Sequence, residues 1–132
     1  MKSEKIDKFV NLHVHSALGS LLDSVAKIPD IVQFAKEHNQ IAVALTDHGK
    51  MSGFVELYKE CKKAEIKPII GIEAYEVDDM YEKADTKEYT QPRYHLLLLA
   101  KNKIGLQNLF KIATISNTEG FYKKPLITLD YI

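Results

Sequence analysis

Along the chain, residues 41–45, 69–72 and 96–99 are short and almost continuously apolar. Runs of that length without alternation fit strands covered on both faces, and such strands belong in parallel sheets. Between them the apolar positions switch to helical spacing. Ile28, Ile31, Val32 and Ala35 fall on one stripe, as do Phe54, Leu57, Tyr58 and Cys61, and then Leu106, Leu109, Phe110 and Ala113. Each stripe can cover one face of a sheet. With an opening strand at about residues 9–15, the order becomes strand, helix, strand, helix, strand, strand, helix, which predicts an α/β fold.

Residues 78–93 break the pattern. They are polar, nearly balanced in charge and periodic in neither sense, so they read as an exposed insertion or mobile loop. No internal repeat, low-complexity tract or Gly/Ser linker divides the chain, and residues 1–132 read as one domain. Lys124-Pro125 marks a turn into a further element where the sequence stops, so the chain is expected to be a truncated piece.

Composition narrows the function classes. Eighteen Lys and Arg against eighteen Asp and Glu give zero formal net charge. Bulk counterion release therefore cannot hold nucleic acid, and any DNA contact is expected from a local patch or a neighbouring domain. One cysteine forms no internal disulfide, and no stretch reads as a signal peptide, so a cytoplasmic location is expected. The apolar runs fall far short of the ~18 residues that span a bilayer.

The candidate chemistry begins at His13-Val14-His15. Two residues apart in a strand, both imidazoles point to one face and can reach one metal ion, or they face solvent and bond locally. Thr46-Asp47-His48-Gly49 follows the 41–45 run, and Glu73 follows the 69–72 run. Ligand types thus recur at the carboxyl ends of successive strands, where α/β sheets build their sites. Nitrogen and carboxylate donors without cysteine suit Zn²⁺, Mn²⁺ or Fe²⁺, and the matching chemistry is metal-assisted hydrolysis of a phosphate ester.

Other residues read as structural. Cys61 lies on an apolar stripe and is expected to be a buried thiol. His38 precedes Asn39, a helix C-terminal signal, and complements the helix dipole at the surface. His95 opens its strand and, from pattern alone, reads as a satisfied buried histidine. Lys59, Lys62, Lys63 and Lys67 interleave with Glu56, Glu60 and Glu65 as a solvated helix face, not a DNA-binding patch. With no Gly-rich phosphate loop, nucleophile elbow or polymerase-type Asp pair, these residues cannot carry out polymerisation.

Residues 9–16 (FVNLHVHS), 44–49 (ALTDHG) and 66–73 (IKPIIGIE) resemble the opening motifs of PHP (polymerase and histidinol phosphatase) domains. Residues 94–102 (YHLLLLAKN), 105–109 (GLQNL) and 119–125 (EGFYKKP) resemble more narrowly the PHP domain of bacterial DNA polymerase III alpha subunits, N-terminal part. The resemblance implies about the first half of a distorted (β/α)7, TIM-like barrel. It implies the metal ligands His13, His15, Asp23, His48, Glu73 and His95, with Asp47 orienting the site from behind, and so it raises His95 to a ligand. The family usually has Asp-Gly one residue nearer the paired histidines, where this chain has Asp23-Ser24. Its last ligands lie on later strands that this sequence does not contain, so the up to three divalent ions (Zn or Mn, or Fe) of a complete site become fewer here.

Three functions follow as expectations. The first is a replicative-polymerase PHP module supporting 3′-5′ exonuclease or related phosphoesterase activity, with DNA, other polymerase domains and replisome subunits as partners. The second is a non-catalytic module that docks a proofreading subunit or braces the polymerase. The third is a stand-alone PHP-class phosphatase. The uncovered edges and faces of half a barrel also invite association between copies of the chain.

Overall fold

The computed structural model describes residues 9–82 and 89–132. In chain order the elements are α1 (Ile28–Glu37), β1 (Ala42–Leu45), α2 (Phe54–Ala64), β2 (Lys67–Glu76), β3 (Tyr94–Leu99), α3 (Lys103–Thr118), β4 (Phe121–Tyr122), β5 (Lys124–Ile127) and a 3-10 turn at Leu129–Tyr131. The fold is mixed α/β, and the three expected helices form where the apolar stripes place them. Pro29 starts α1 where its missing N–H is harmless, and Asn39, at φ 55°, ends it in the left-handed region. The Asn102 side chain caps α3 by accepting from Gly105 N at 2.9 Å.

Strand β2 is the axis of the sheet. β1 lies parallel to it, pairing Leu45 with Ile70, and the same register continues to a bridge between His48 and Glu73. β3 lies antiparallel along the opposite edge, pairing Glu73 with Leu97 and Tyr75 with His95. β5 joins the β1 edge further on, where Tyr75 pairs with Leu126, and β4 pairs with β5.

Side chains alternate across this sheet. Val43, Leu45 and Ile70 face α1 and α2, meeting Ile28, Val32, Leu57 and Cys61 in one core. Ile72, Ala74 and Leu98 pack with Leu109 and Ile112 of α3, and with Leu126 and Ile127, in a second core. The opposite face of the sheet carries His48, Glu73, Tyr75 and His95 in register.

The structure departs from the sequence reading at four places. Residues 9–15 form no strand. They run extended beside β1, where Ala44 N donates to Asn11 O at 3.1 Å and Thr46 N to Val14 O at 2.8 Å. The donors are two residues apart and the acceptors three, so one residue bulges and the ladder breaks. The Thr46 hydroxyl replaces a strand partner, accepting from Val14 N at 2.9 Å. Second, β3 is antiparallel to β2, with no crossover helix among the described residues between them, and it is only partly buried. Third, Glu73 lies inside β2, which continues to Glu76, not beyond its end.

Fourth, the 78–93 segment is packed at both ends. Met80 and Gln91 are buried. The Gln91 amide clasps the Asp79 backbone, accepting from its N at 2.7 Å and donating to its carbonyl at 2.8 Å. Residues 83–88 of the expected loop lie outside the described residues.

Candidate metal centre

Glu73 is the centre of a histidine cluster. Its carboxylate is buried on the inner sheet face, held between the β1 edge and β3. Oε2 accepts from His13 Nε2 at 2.7 Å and from His15 Nε2 at 2.5 Å, and Oε1 accepts from His95 Nδ1 at 2.6 Å. His48 Nδ1 stands 3.5 Å from Oε2 but is buried without a hydrogen-bond partner. The ligand atoms of His13, His15 and Glu73 lie within 4.8 Å of one another, as do those of His48, Glu73 and His95.

Chain direction explains the convergence. His48 follows the parallel strand β1 and arrives at the carboxyl-end half of β2. Because β3 runs the other way, its first residues lie beside the same part of β2, so His95 reaches the site from the beginning of its strand. The pattern-based expectation of a satisfied buried histidine does not hold, since the His95 side chain is 52% exposed and engages Glu73. His13 and His15 converge without a regular strand, through the bulged segment beside β1.

Asp23 is at the margin. Its Oδ2 lies 3.3 Å from His48 Nε2, on the exposed side of that ring, and it belongs to neither close group. Asp47 points away from the imidazoles. It is buried, and its carboxylate accepts from Ser16 N at 2.6 Å, Ser16 Oγ at 2.8 Å and Ser20 Oγ at 3.0 Å. Ser20 Oγ in turn accepts from His48 N at 3.0 Å. A carboxylate buried under β1 thus fixes the 16–20 turn between His15 and Asp23. Gly19 is required there, because a Cβ would fall 2.4 Å from Asp47 Cγ.

The electrostatics follow from this crowding. Burial pushes the Glu73 carboxyl upward, yet hydrogen bonds from His13, His15 and His95 and the charge of His48 outweigh it and bring it down to about 2. Burial lowers the pKa of His48; Glu73 and Asp23 oppose that shift, and His15 and His95 add to it. Both shifts run toward the deprotonated forms of Glu73 and His48, the forms in which a carboxylate and an imidazole bind a divalent ion. The nitrogen and oxygen donor set, the unpartnered His48 Nδ1 and the shared ligand distances fit such an ion.

Residues that pattern did not single out complete the surroundings. Tyr75, two residues after Glu73 and hence on its face, stacks on His48 with centroids 5.4 Å apart and meets His95 edge-on at 5.2 Å. Its hydroxyl accepts from Lys124 Nζ at 3.0 Å. A cleft of about 380 Å³ opens beside Asp23 and His48, with Tyr75 and Lys124 in its wall. The period-2 continuation from Glu73 was the available signal for Tyr75; Ser16 and Ser20 had none. The remaining histidine, His38, is exposed, stacked on Phe34 and donating from Nδ1 to the Phe34 carbonyl at 2.8 Å, as a helix-terminal residue.

Comparison with known proteins agrees with this geometry. Residues 11–132 match the family model described as PHP domain. The chain is 51% identical over 125 residues to the DNA polymerase III subunit alpha of Borreliella burgdorferi, covering 93% of this chain and 11% of that protein. It is 40% identical to the same subunit of Aquifex aeolicus, covering 94% and 11%, and 42% identical to that of Thermus aquaticus, covering 91% and 10%. The chain therefore spans about a tenth of the length of these relatives.

Among solved structures, a metal-dependent phosphoesterase of Bifidobacterium adolescentis superposes with a TM-score of 0.56 at 17% identity, covering 81% of this chain and 32% of that one. An amidohydrolase of Chromobacterium violaceum superposes at 0.52 and 18% identity, covering 78% and 32%. These two likenesses concern the fold. With its motifs matched from residue 11 onward and its histidines gathered on one buried glutamate, the chain belongs to the PHP domain family.

Proposed function

We propose that this chain is the first half of a distorted (β/α)7 barrel that binds divalent metal in a polymerase III alpha-type subunit and supports 3′-5′ phosphodiester hydrolysis. The observation that carries the reading is the convergence of His13, His15, His48 and His95 on the single carboxylate of Glu73. Those five residues, with Asp23 at the margin, are the ligands; Asp47 positions them by fixing the Ser16–Ser20 turn. Bound Zn²⁺, Mn²⁺ or Fe²⁺ supplies an acidified water and polarises a phosphoryl oxygen.

The chain's own residues supply the rest. Glu73 stays ionised across the physiological range, so its charge is available at any working pH. Tyr75 backs the His48 ring and limits its rotation. DNA and the other polymerase and replisome parts are the partners of this reading, and the cytoplasm is its location. No described helix is long and apolar enough to cross a membrane.

Elemental mass spectrometry of the purified chain beside a His13→Ala/His15→Ala variant tests the proposal. Near-stoichiometric Zn, Mn or Fe that the variant lacks is the expected result. Equal metal in both proteins, or none in either, overturns it, and the second outcome leaves a docking module.

A further inference from the structure

The histidine cluster stands beyond the carboxyl end of β1. A second hollow opens toward the amino end of that strand, on the helix-covered face of the sheet. It is a groove of about 290 Å³ along one flank of α1, with Val14, Ile31, Phe34, Ala35 and Val43 as apolar walls. Asp30, in the first turn of α1, lies toward one end, and Gln40, past its last turn, toward the other.

Two features leave this groove incomplete. Gln40 Oε1 is buried with no hydrogen-bond partner among the described residues, a cost that a donor entering the groove removes. Large apolar side chains also stand in water around it. Phe34 is 56% exposed, and Val25 and Ile41, each next in sequence to a lining residue, are 88% and 54% exposed.

The stripe that edges the groove is complementary to itself. Asp30 and His38 stand four residues before and four residues after Phe34, and all three are exposed. That spacing puts them about one turn apart on one side of α1, and the His38 ring stacks on Phe34 with centroids 3.9 Å apart. Two such helices laid antiparallel, with Phe34 at the centre, bring the Asp30 carboxylate of each copy to the His38 imidazole of the other. That is the reciprocal contact of a two-fold interface. Phe34 then meets the apolar walls of the other copy's groove, and the start of that copy's α1 carries Lys27, an exposed cation, toward Gln40. An unrelated protein has no reason to repeat this spacing, whereas a second copy has it by construction.

We infer that two copies of the chain pair through this groove, α1 against α1, about a two-fold axis at Phe34. The groove lies on the sheet face opposite Glu73, so pairing leaves both histidine clusters open and is independent of the metal reading.

Sedimentation velocity of the full chain across a range of concentrations tests the pairing, with circular dichroism as the folding check. The unaltered chain is expected to pass from monomer to dimer as concentration rises. Phe34→Glu is expected to raise the dimer dissociation constant at least about tenfold, as loss of a central aromatic side chain does. Asp30→Lys is expected to raise it about fivefold or more, because like charges then face each other. The exchange Asp30→Lys/His38→Asp is expected to recover most of that loss, since opposite charges meet again across the axis. Asp30 is exposed, so the exchange supplies the test if Phe34→Glu does not fold.

A chain that stays monomeric at every concentration overturns the inference and leaves the groove to a segment of a longer protein. A dimer that Phe34→Glu does not weaken overturns it as well, as does an exchange variant that pairs no better than Asp30→Lys alone.

Discussion

His95 and Glu73 are diagonal neighbours across the β2–β3 ladder: His95 pairs with Tyr75, and its Nδ1 reaches back to Glu73 Oε1 at 2.6 Å. The contact depends on register, because a slip of one residue in β3 would send the imidazole to the helix-covered face. Glu73 thereby receives ligands from both of its edges, and substitutions at it test the whole arrangement.

Glu73→Gln keeps the shape and removes the charge. Metal content is expected to fall below a tenth of the unaltered value by elemental mass spectrometry. The chelator-treated variant is expected to lose about 1–3 kcal/mol in denaturant unfolding, the scale of hydrogen bonds to a charged acceptor that are weakened.

Acid sensitivity follows from two groups. His48 has a folded pKa below its ordinary 6.5, so the unfolded chain binds its proton more readily and stability falls as pH drops below 6.5. Glu73, at about 2 against an ordinary 4.5, contributes stability that is present above 4.5 and lost as pH falls toward 2. The melting temperature of metal-free protein is expected to decline in both windows. A His48→Gln variant is expected to lose the His48 contribution to the upper decline and to keep the lower.

Asp47 is a second buried carboxylic residue, and two substitutions address it. Asp47→Asn is expected to destabilise by about 1.5–3 kcal/mol and to weaken metal binding 10–100-fold in a competition titration, as a residue that orients ligands should. Gly19→Ala, which places a methyl against that carboxylate, is expected to destabilise by about 1–3 kcal/mol without altering any polar group.

Cys61 is fully buried in the α1–α2 core, and burial, with the nearby Glu60, raises its thiol to about 11. Alkylation at pH 8 is expected to be at least a hundredfold slower than for the urea-unfolded chain, followed by intact mass. Rapid native labelling would place the thiol outside that core.

The helices and β1 were legible because amphipathic stripes and a continuous apolar run are local signals. Leu57 and Cys61, one turn apart, announce the buried face of α2 without knowledge of its neighbours. The direction of β3 was not legible. Leu96–Leu97–Leu98–Leu99 reads as a doubly covered strand, and only the absence of a helix before it argues for antiparallel return.

In the site, the motif residues came together, but three details required three dimensions. Asp47 bonds two serines on another segment, and His95 approaches from a strand's start. Tyr75 and Lys124 meet across 49 positions, a pairing that no spacing rule finds.

The Gln91–Asp79 clasp closes the chain on itself between the strand that holds Glu73 and the strand that begins with His95. Because the clasp pins the chain shortly before β3, it acts as a clamp that sets where that strand begins, so the position of His95 depends on two hydrogen bonds made outside the histidine cluster.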